Sequence, residues 1–493
     1  MLKKLLNEIK GHLVIYFLLG IVLVLGFLLR TYNINNLLGF YYDQGRDALA
    51  VWDIWHGRNI PFIGPTTGIA GIFRGPFYYY LIAPFYLLGK GDPVWPSVFL
   101  SVTTMLAVTA MYYLGTKIQD RTTGLIAAIL SAFSFNIAIA SRWLSNPTPM
   151  LLLSVLLVWM MILVAEGKKR AWLIIAFLLG LSLFHFGSSG EVFYFVAVAV
   201  FAVWQRKNLP DRKTFVISCL LFLFTILPLI AFDIKNQGLI LGNIKKFLIT
   251  DKSFTLPTPR FMGDKIEFYY DVFTNKIFDA RYHLEKFFLS GVLLFFVYHL
   301  HSLIKGKGVK ILLMLLGSVM VGLVFFQGNF GNIYDYYLTG YYLPFLLLFS
   351  VALGYMWRYK LGKVFLIYFI YIFLTNNADI LKFKLTDGGL GPNSISFIAQ
   401  KQAIDWIAKD AGEEKYNIDV YVPPVIPYAY DYLIKWKGLK PEEERVPLLY
   451  TLYEADGDHQ DRLDAWLARQ KGIGVVKETV HFGAITVERR MRK

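Results

Sequence analysis

The sequence predicts a mainly α-helical, polytopic membrane protein with a small α/β domain at its C-terminal end. Hydrophobic residues make up 56% of the 493 residues, and the mean hydropathy is +0.48. Apolar runs recur along residues 1–375 and are long enough to cross a hydrocarbon core of about 30 Å. Residues 376–493 are mostly polar. We therefore expect a transmembrane domain over 1–375, embedded in the lipid bilayer, and a soluble domain over 376–493.

Hydropathy predicts about eleven spans, and the basic residues orient them. Lys3, Lys4 and Lys10 place the N-terminus in the cytoplasm, because short cytoplasmic loops are enriched in lysine and arginine. The apolar stretch 77–89 is too short to cross comfortably, and counting it as a span would move several basic clusters outside. We interpret it as a juxtamembrane helix. The predicted spans are 12–29, 95–115, 122–141, 149–165, 171–187, 190–204, 214–232, 286–303, 310–327, 337–356 and 362–375.

This orientation makes every predicted cytoplasmic loop basic and assigns a defined set of segments to the outer side. The protein is expected in the cytoplasmic (plasma) membrane, with its C-terminal domain extracytoplasmic. The segments predicted outside are the long loop 30–94, the turns 142–148, 185–191 and 328–336, and the loop 233–285.

Composition and motifs exclude several classes of function. The net charge of +15 arises mainly from short clusters between apolar runs, which is the positive-inside pattern and does not predict a nucleic-acid partner. Cys219 is the only cysteine, so neither a disulfide framework nor a cysteine-rich metal site is expected. Phosphate-loop, dinucleotide and zinc-protease motifs are missing. We predict no cofactor; a divalent metal remains an alternative that the sequence does not indicate.

The first long loop carries a cluster of charged residues immediately after the first span. In a helix, Asp43, Arg46 and Asp47 share one face because they are spaced i, i+3, i+4. Asp43 would stand at the helix start, where it could act as a cap. The opposite face is apolar, which is typical of a helix lying on a membrane surface: Ala48, Val51, Trp52 and Trp55. The alternative is a capped helix with solvated charges and an interfacial aromatic belt.

Ionisable and polar residues collect at the predicted external ends of the spans. Such residues near a membrane are costly and therefore are candidates for function. Several cations among a few acids suit an anionic ligand such as a lipid phosphate. Taken singly, each has a structural alternative, such as snorkelling for Arg142 or helix capping for Asp335. The set is Asp43, Arg46, Asp47, Arg74, Arg142, Asn146, His185, Glu191, Asp233, Lys235, Arg281, His283 and Asp335.

The C-terminal region predicts a small α/β domain. An amphipathic pattern predicts a helix over 394–410, and a second helix is expected over 461–470. Alternating β-branched and aromatic residues predict strands near 417–424, 446–453, 472–480 and 484–490.

Four short motifs follow one another along residues 42–338. They are Tyr42-Asp43-Gln44-Gly45-Arg46 after the first span, Arg74-Gly75-Pro76-Phe77-Tyr78-Tyr79 in the same loop, Ser141-Arg142 with Asn146, and Asp335-Tyr336-Tyr337-Leu338. Residues 12–375 thereby resemble GT-C-type glycosyltransferases, in particular the branch of protein O-mannosyltransferases and lipid A aminoarabinose transferases.

The resemblance implies a polyprenyl-phosphate-linked sugar donor and transfer to an acceptor lipid, glycan or protein outside the membrane. Asp43 corresponds to the general base of the family, and Arg74 would meet the lipid phosphate. We add Arg142 and Arg46 as further phosphate contacts, with Tyr42, Tyr78, His185, Glu191 and Asp335 as other site residues. The chain departs from protein mannosyltransferases, which have Asp-Glu at Asp43-Gln44 and His-Pro-Pro at Arg74-Gly75-Pro76, so sugar and acceptor do not carry over.

The chemistry follows from the residue types. A sugar phosphoester has a good leaving group, so cations that hold the departing phosphate and one carboxylate that takes a proton suffice. We predict a single displacement that inverts the anomeric carbon; a retaining enzyme would need a second carboxylate, for which Asp47 is the candidate. Two alternatives are a lipid-linked saccharide transporter or flippase, and a non-catalytic scaffold that displays the C-terminal domain.

Overall fold

The computed structural model describes residues 2–57, 59–251, 253–254, 259–278, 285–326, 333–423 and 426–493. Of the residues named above, Arg281 and His283 lie outside these ranges. The described part is mainly helical, with one small sheet near the C-terminus.

Helical structure is present among the described residues of each of the eleven predicted spans. Among the described residues, six helices are long and apolar enough to cross a membrane, and a bent helix pair is a seventh candidate. Four further predicted spans correspond to shorter apolar helices, so the total of eleven stays a prediction. The six helices are Leu13–Thr31, Val94–Ile118, Arg212–Lys235, Lys307–Phe325, Asp335–Met356 and Lys360–Thr386; the shorter ones are Met150–Ala165, Ala171–Phe186, Glu191–Trp204 and Lys286–Tyr298.

Shorter helices complete the part of the chain before the C-terminal unit. The predicted juxtamembrane helix is present as Phe77–Leu88. The remaining helical segments in this region are Leu2–Gly11, Ile34–Leu37, Tyr42–Trp55, Arg206–Asn208, Leu239–Lys245, Lys246–Thr250, Pro259–Thr274 and Leu300–Leu303.

The bent pair consists of Arg121–Phe133 and Phe135–Arg142, which meet at 61°. A bend leaves backbone groups without their helical partners. Here the fully buried Arg30 donates to the carbonyls of Ala132 (2.7 Å) and Ser131 (2.9 Å), and the Asn377 side chain accepts the N–H of Phe135 (2.7 Å). The bend is therefore held by side chains from two other spans, and it directs the second helix towards the site described below.

The predicted helix of the first long loop is Tyr42–Trp55, here called the site helix. Its start differs from the prediction, because Asp43 lies inside the first turn, while the Gln44 side chain accepts the N–H of Tyr41 (3.1 Å). Its apolar face differs in part, since Ala48 and Val51 are fully buried against protein, whereas 37% of Trp55 is exposed. A short antiparallel hairpin follows, with Gly64 N–H donating to Arg74 O (2.6 Å) and Arg74 N–H donating to Pro65 O (3.1 Å).

The C-terminal unit is a four-stranded sheet with three helices. The strands are β1 (Tyr416–Tyr421), β2 (Leu448–Glu454), β3 (Gly474–Phe482) and β4 (Ile485–Arg492), in the order β1-β2-β4-β3. Only β1 and β2 run parallel. The predicted helices are present as Phe397–Ala411 and Gln460–Ile473.

Two features of this unit differ from expectation. Parallel strands need a crossover connection, and it contains a helix that the sequence analysis missed, Tyr428–Trp436, here called the docking helix. The helix Lys360–Thr386 runs through the proposed boundary between residues 375 and 376. Its end is held by Asn33, which donates to the carbonyls of Leu385 (2.7 Å) and Asp387 (3.0 Å). The sheet unit therefore begins after residue 386.

Candidate active site

A cavity of about 510 Å³ lies where the site helix, the hairpin and the end of the bent pair meet the segment around Asp335. Its ionisable lining holds three cations and three carboxylates, five of which the sequence analysis named. They are Asp43, Arg46, Asp47, Arg74, Lys276 and Asp335. The aromatic lining residues are Trp143, Phe326, Tyr336, Tyr337 and Tyr342. Charged residues of the first long loop and Asp335 thus line one cavity.

The first group of charges, called the Asp43 cluster, consists of Asp43, Arg46 and Asp47. The Arg46 guanidinium pairs with both acids, at 2.8 Å to Asp43 and 2.8 Å to Asp47. Asp47 also accepts the hydroxyl of Tyr79 (3.1 Å). The two acids differ in access, because 63% of the Asp43 side chain is exposed but only 5% of the Asp47 side chain. Asp43 therefore presents an exposed carboxylate to the cavity, whereas Asp47 is buried and holds Arg46.

Burial and charge shift the titration of the two inner members. Burial raises the pKa of Asp47 to about 6, although the neighbouring Arg46 charge and hydrogen bond act in the opposite direction. Burial by itself would lower the pKa of the Arg46 guanidinium, but the charges of Asp47 and Asp43 raise it overall. Arg46 is consequently a fixed cation placed between two carboxylates. The sequence analysis assigned Arg46 to the donor phosphate, whereas both of its ion pairs here are with carboxylates.

Arg74 is a cation of a different kind. It is half-buried in the cavity wall, and its side chain forms no hydrogen bond or ion pair with any other residue in the described ranges. Burial lowers the pKa of its guanidinium, and the charge of Glu191 acts in the opposite direction. The hairpin bonds at Gly64 and Pro65 fix its backbone. Arg74 therefore offers unused donors to an anion in the cavity.

His185 supports the Arg74 turn from behind. Its ring stacks on Phe77 at 4.1 Å, its Nδ1 accepts the N–H of Phe77 (3.3 Å), and its Nε2 lies 2.6 Å from the carbonyl of Thr225. A Cβ atom at Gly75 would lie 2.0 Å from the ring, so only glycine fits there. His185 does not line the cavity. It fixes the turn that carries Arg74.

The second group of charges, called the Lys276 cluster, consists of Lys276, Asp335 and Tyr342. Lys276 Nζ lies 2.8 and 3.1 Å from the two Asp335 oxygens and 4.2 Å from the centre of the Tyr342 ring. The Tyr342 hydroxyl donates to Asp335 Oδ1 (2.6 Å). Only 2% of the Lys276 side chain is exposed, against 54% for Asp335. Burial lowers the pKa of Lys276, and Asp335 opposes this shift.

The backbone around Lys276 is anchored on both sides. The amide of Asn136 donates to the carbonyl of Asn275 (2.5 Å), and the amide of Asn377 donates to the carbonyl of Ile277 (2.9 Å). Sequence reasoning missed Lys276. The available signal was a lysine within an apolar, aromatic tract, where Val272, Phe273, Ile277 and Phe278 are all buried.

Four further predicted site residues do not line the cavity. Tyr42 contacts Tyr428 with ring centres 5.0 Å apart. Tyr78 and Arg142 are buried, and within the described ranges the Tyr78 hydroxyl and Arg142 Nη2 lack hydrogen-bond partners. Glu191 is buried and accepts the N–H groups of Gly340 (2.8 Å) and Ser188 (2.5 Å).

The described ranges contain no group of three or more His, Cys, Asp or Glu side chains placed to hold a metal ion.

Comparison with known proteins shows what part of the chain is similar to. A family model described as dolichyl-phosphate-mannose-protein mannosyltransferase matches residues 74–232. A sequence comparison with curated proteins gives no match.

Solved structures share the fold at low sequence identity. ArnT from Cupriavidus metallidurans in the apo state is 9% identical, with 98% of both chains covered and a TM-score of 0.64. The same protein bound to undecaprenyl phosphate is 10% identical, with 98% of both chains covered and a TM-score of 0.58. An oligosaccharyltransferase from Archaeoglobus fulgidus in complex with Zn and sulfate is 14% identical, covers 92% of this chain and 71% of its own, and has a TM-score of 0.52.

The chain shares its fold with ArnT and the archaeal oligosaccharyltransferase, and several of its described helices are long and apolar enough to cross a membrane. The chain resembles the protein mannosyltransferases and ArnT, as the four motifs predicted, and these matches support the predicted enzyme class, a GT-C-type glycosyltransferase.

Proposed function

We propose that this protein transfers a sugar from a polyprenyl-phosphate-linked donor to an acceptor hydroxyl of a lipid, glycan or protein on the extracytoplasmic side. One observation carries the proposal: an exposed carboxylate, Asp43, and a cation without an ion-pair partner in the described ranges, Arg74, line the same cavity. A glycosyl transfer from a lipid phosphate needs one group of each kind.

Arg74 would bind the donor phosphate. A guanidinium offers planar, paired donors that match phosphate oxygens, and none of the described residues occupies those donors. A structural neighbour with the same fold is known in complex with undecaprenyl phosphate, which supports a lipid phosphate as the ligand class. The exposed apolar surfaces of the spans, for example along Leu13–Thr31, suit an isoprenoid chain.

Asp43 would act as the general base. As the acceptor oxygen bonds to the anomeric carbon, its proton passes to the Asp43 carboxylate and the bond between that carbon and the phosphate oxygen breaks. The electron pair leaves with the phosphate, whose charge Arg74 compensates. Arg46 holds Asp43 in place, and Asp47 holds Arg46.

A single displacement with inversion fits the two carboxylates best. Retention requires a second carboxylate that is free to attack the sugar. The Asp47 oxygen that accepts from Arg46 also accepts from Tyr79, and its side chain is almost completely buried. This arrangement supports Asp47 as a positioning residue.

The aromatic wall would hold the sugar. Trp143, Tyr336 and Tyr337 line the cavity beside the charged groups, and aromatic faces suit stacking against the apolar face of a sugar ring.

For the membrane arrangement, we propose eleven spans with the N-terminus in the cytoplasm. The basic cytoplasmic loops support this orientation, which places the cavity and the C-terminal unit outside the cytoplasmic membrane.

The test is sugar transfer by the purified protein. A polyprenyl-phosphate sugar and nucleotide sugars are compared as donors with a broad acceptor mixture, using wild type, Asp43→Asn and Asp458→Asn. Asp458 is exposed and lies outside the cavity lining, so its substitution is the matched control. Use of the lipid donor alone, with loss only in Asp43→Asn, supports the proposal.

Two results would contradict it. Full activity in Asp43→Asn would show that Asp43 is not the general base. Absence of transfer, together with passage of a lipid-linked sugar across liposomes that contain the protein, would establish the transporter alternative.

A further inference from the structure

The C-terminal unit contacts the site helix on the side turned away from the cavity. Gly45 faces the docking helix, and a Cβ atom at this position would lie 2.3 Å from the backbone nitrogen of Ala429. The two helix backbones are thus in direct contact, and glycine is the residue that permits it. Gly45 lies between Asp43 and Arg46 in sequence, so this contact is made by the turn that carries the cavity-lining charges.

Contacts from the C-terminal unit also hold both ends of the site helix. Before its first turn, the Gln400 amide donates to the carbonyl of Phe40 (2.9 Å), and the Tyr41 hydroxyl donates to the carbonyl of Ile395 (3.1 Å). In its last turn, Asp53 pairs with Lys435 of the docking helix at 3.2 Å.

The docking helix additionally holds the chain beyond the hairpin. Tyr432 donates to the carbonyl of Gly91 (2.5 Å), and Trp436 Nε1 donates to the carbonyl of Lys90 (2.9 Å). These two carbonyls follow the helix Phe77–Leu88, which begins directly after the Arg74 turn. One helix therefore contacts the elements on both sides of the hairpin that carries Arg74.

We propose that the C-terminal unit is a positioning element of the active site, with Gly45 and Ala429 setting the distance between the Asp43 cluster and Arg74. This inference rests on the proposed function. A 14-residue helix is marginally stable by itself, so its placement depends on its contacts. A displacement of about 1 Å at a catalytic group can cost about a hundredfold in rate.

The kinetic test compares Gly45→Ala with Gly20→Ala. Gly20 is also helical, but a Cβ atom there has nothing within 4 Å, so it reports the effect of alanine on helix formation alone. Gly45→Ala is expected to lower kcat about a hundredfold and to leave binding of polyprenyl phosphate unchanged, since Arg74 lies on the hairpin and not on the site helix. A general loss of structure would lower both.

A second test does not require activity. A carbodiimide joins an adjacent carboxylate and amine without a spacer, so it should link Asp53 to Lys435 in the full-length protein. The pair Asp405 and Lys437, 2.7 Å apart within the C-terminal unit, is the internal control. In Gly45→Ala the first link should weaken and the second persist, as measured by mass spectrometry of the peptides.

A third test exchanges the charges of Asp53 and Lys435 and asks whether kcat recovers. Asp53→Lys and Lys435→Asp should each lower kcat severalfold, and the double variant should recover most of it. The positioning role is overturned if Gly45→Ala keeps its turnover, or if wild type forms the control link but not the Asp53–Lys435 link. If wild type transfers no sugar, the proposed function fails, while the cross-link still decides whether the two helices are docked.

Discussion

The two charged clusters of the cavity use the same residue types in opposite ways. In the Asp43 cluster two carboxylates pair with one arginine, and the carboxylate with fewer partners, Asp43, is exposed to the cavity. In the Lys276 cluster one acid neutralises one buried lysine, and a tyrosine hydroxyl also donates to that acid. The Asp43 cluster has one more carboxylate than cations, and this surplus carboxylate, Asp43, makes the cluster suited to proton transfer. The Lys276 cluster has one carboxylate and one cation, and this balanced pair makes it suited to stabilising the fold. Three predictions test this difference, and a fourth tests Arg74, the cation that belongs to neither cluster.

The largest effect is expected at the surplus carboxylate. Asp43→Asn should lower kcat by about a hundredfold or more, because a general base contributes roughly 10²–10⁴ in rate. Stability should change little, since Arg46 keeps its pairing with Asp47. Steady-state transfer and thermal unfolding in detergent measure the two quantities. An unfolding temperature that falls together with kcat would show that Asp43 serves the fold.

The next effect concerns the unpaired cation. Arg74→Gln should reduce transfer by about a hundredfold, in line with the loss of one charge-stabilising donor, and should weaken binding of polyprenyl phosphate. Arg445→Gln is the matched control, as Arg445 is exposed in the C-terminal unit. Normal lipid-phosphate binding in Arg74→Gln would exclude the guanidinium as the phosphate contact.

The balanced pair should respond through stability. Asp335→Asn leaves the buried Lys276 without its carboxylate, and an uncompensated buried charge costs about 3 kcal/mol or more. Lys276→Met leaves Asp335, which water can solvate because half of its side chain is exposed. The asparagine variant should therefore unfold at the lower temperature of the two. Equal or reversed unfolding temperatures would contradict the assigned difference in burial.

The smallest effect is a pH dependence of the Asp43 cluster. As pH falls through about 6, Asp47 takes up a proton, Arg46 loses one partner and binds Asp43 more tightly, so kcat should fall severalfold. The pKa of Asp47 is raised above its ordinary value of 3.8, so its protonation favours the folded state over the unfolded state. The fall in kcat would therefore not be caused by unfolding. Asp47→Asn should lack this step in the pH profile. Persistence of the step would assign it to another group.

Much of the bundle was predictable because hydropathy acts locally. The long apolar runs and the juxtamembrane helix Phe77–Leu88 were identified in place. The motifs also named Asp43, Arg74 and Asp335, which line one cavity. Lys276 was not predicted, because its partner stands 59 residues away and no spacing connects them. The buried face of the site helix was misinterpreted for a similar reason, since its covering helix lies near residue 430 of the chain. Amphipathicity shows that a face is buried but not what covers it.

The close packing of Gly75 against His185 has a consequence for sequence change. The imidazole fills the volume in which any larger residue at position 75 would place its first carbon. The two positions can therefore vary only in concert. Restoring the His-Pro-Pro form of this motif at residues 74–76 would require a smaller side chain at position 185 in the same step. In an alignment of related chains, we expect glycine at position 75 to accompany a ring at 185, and bulkier residues at 75 to accompany small ones.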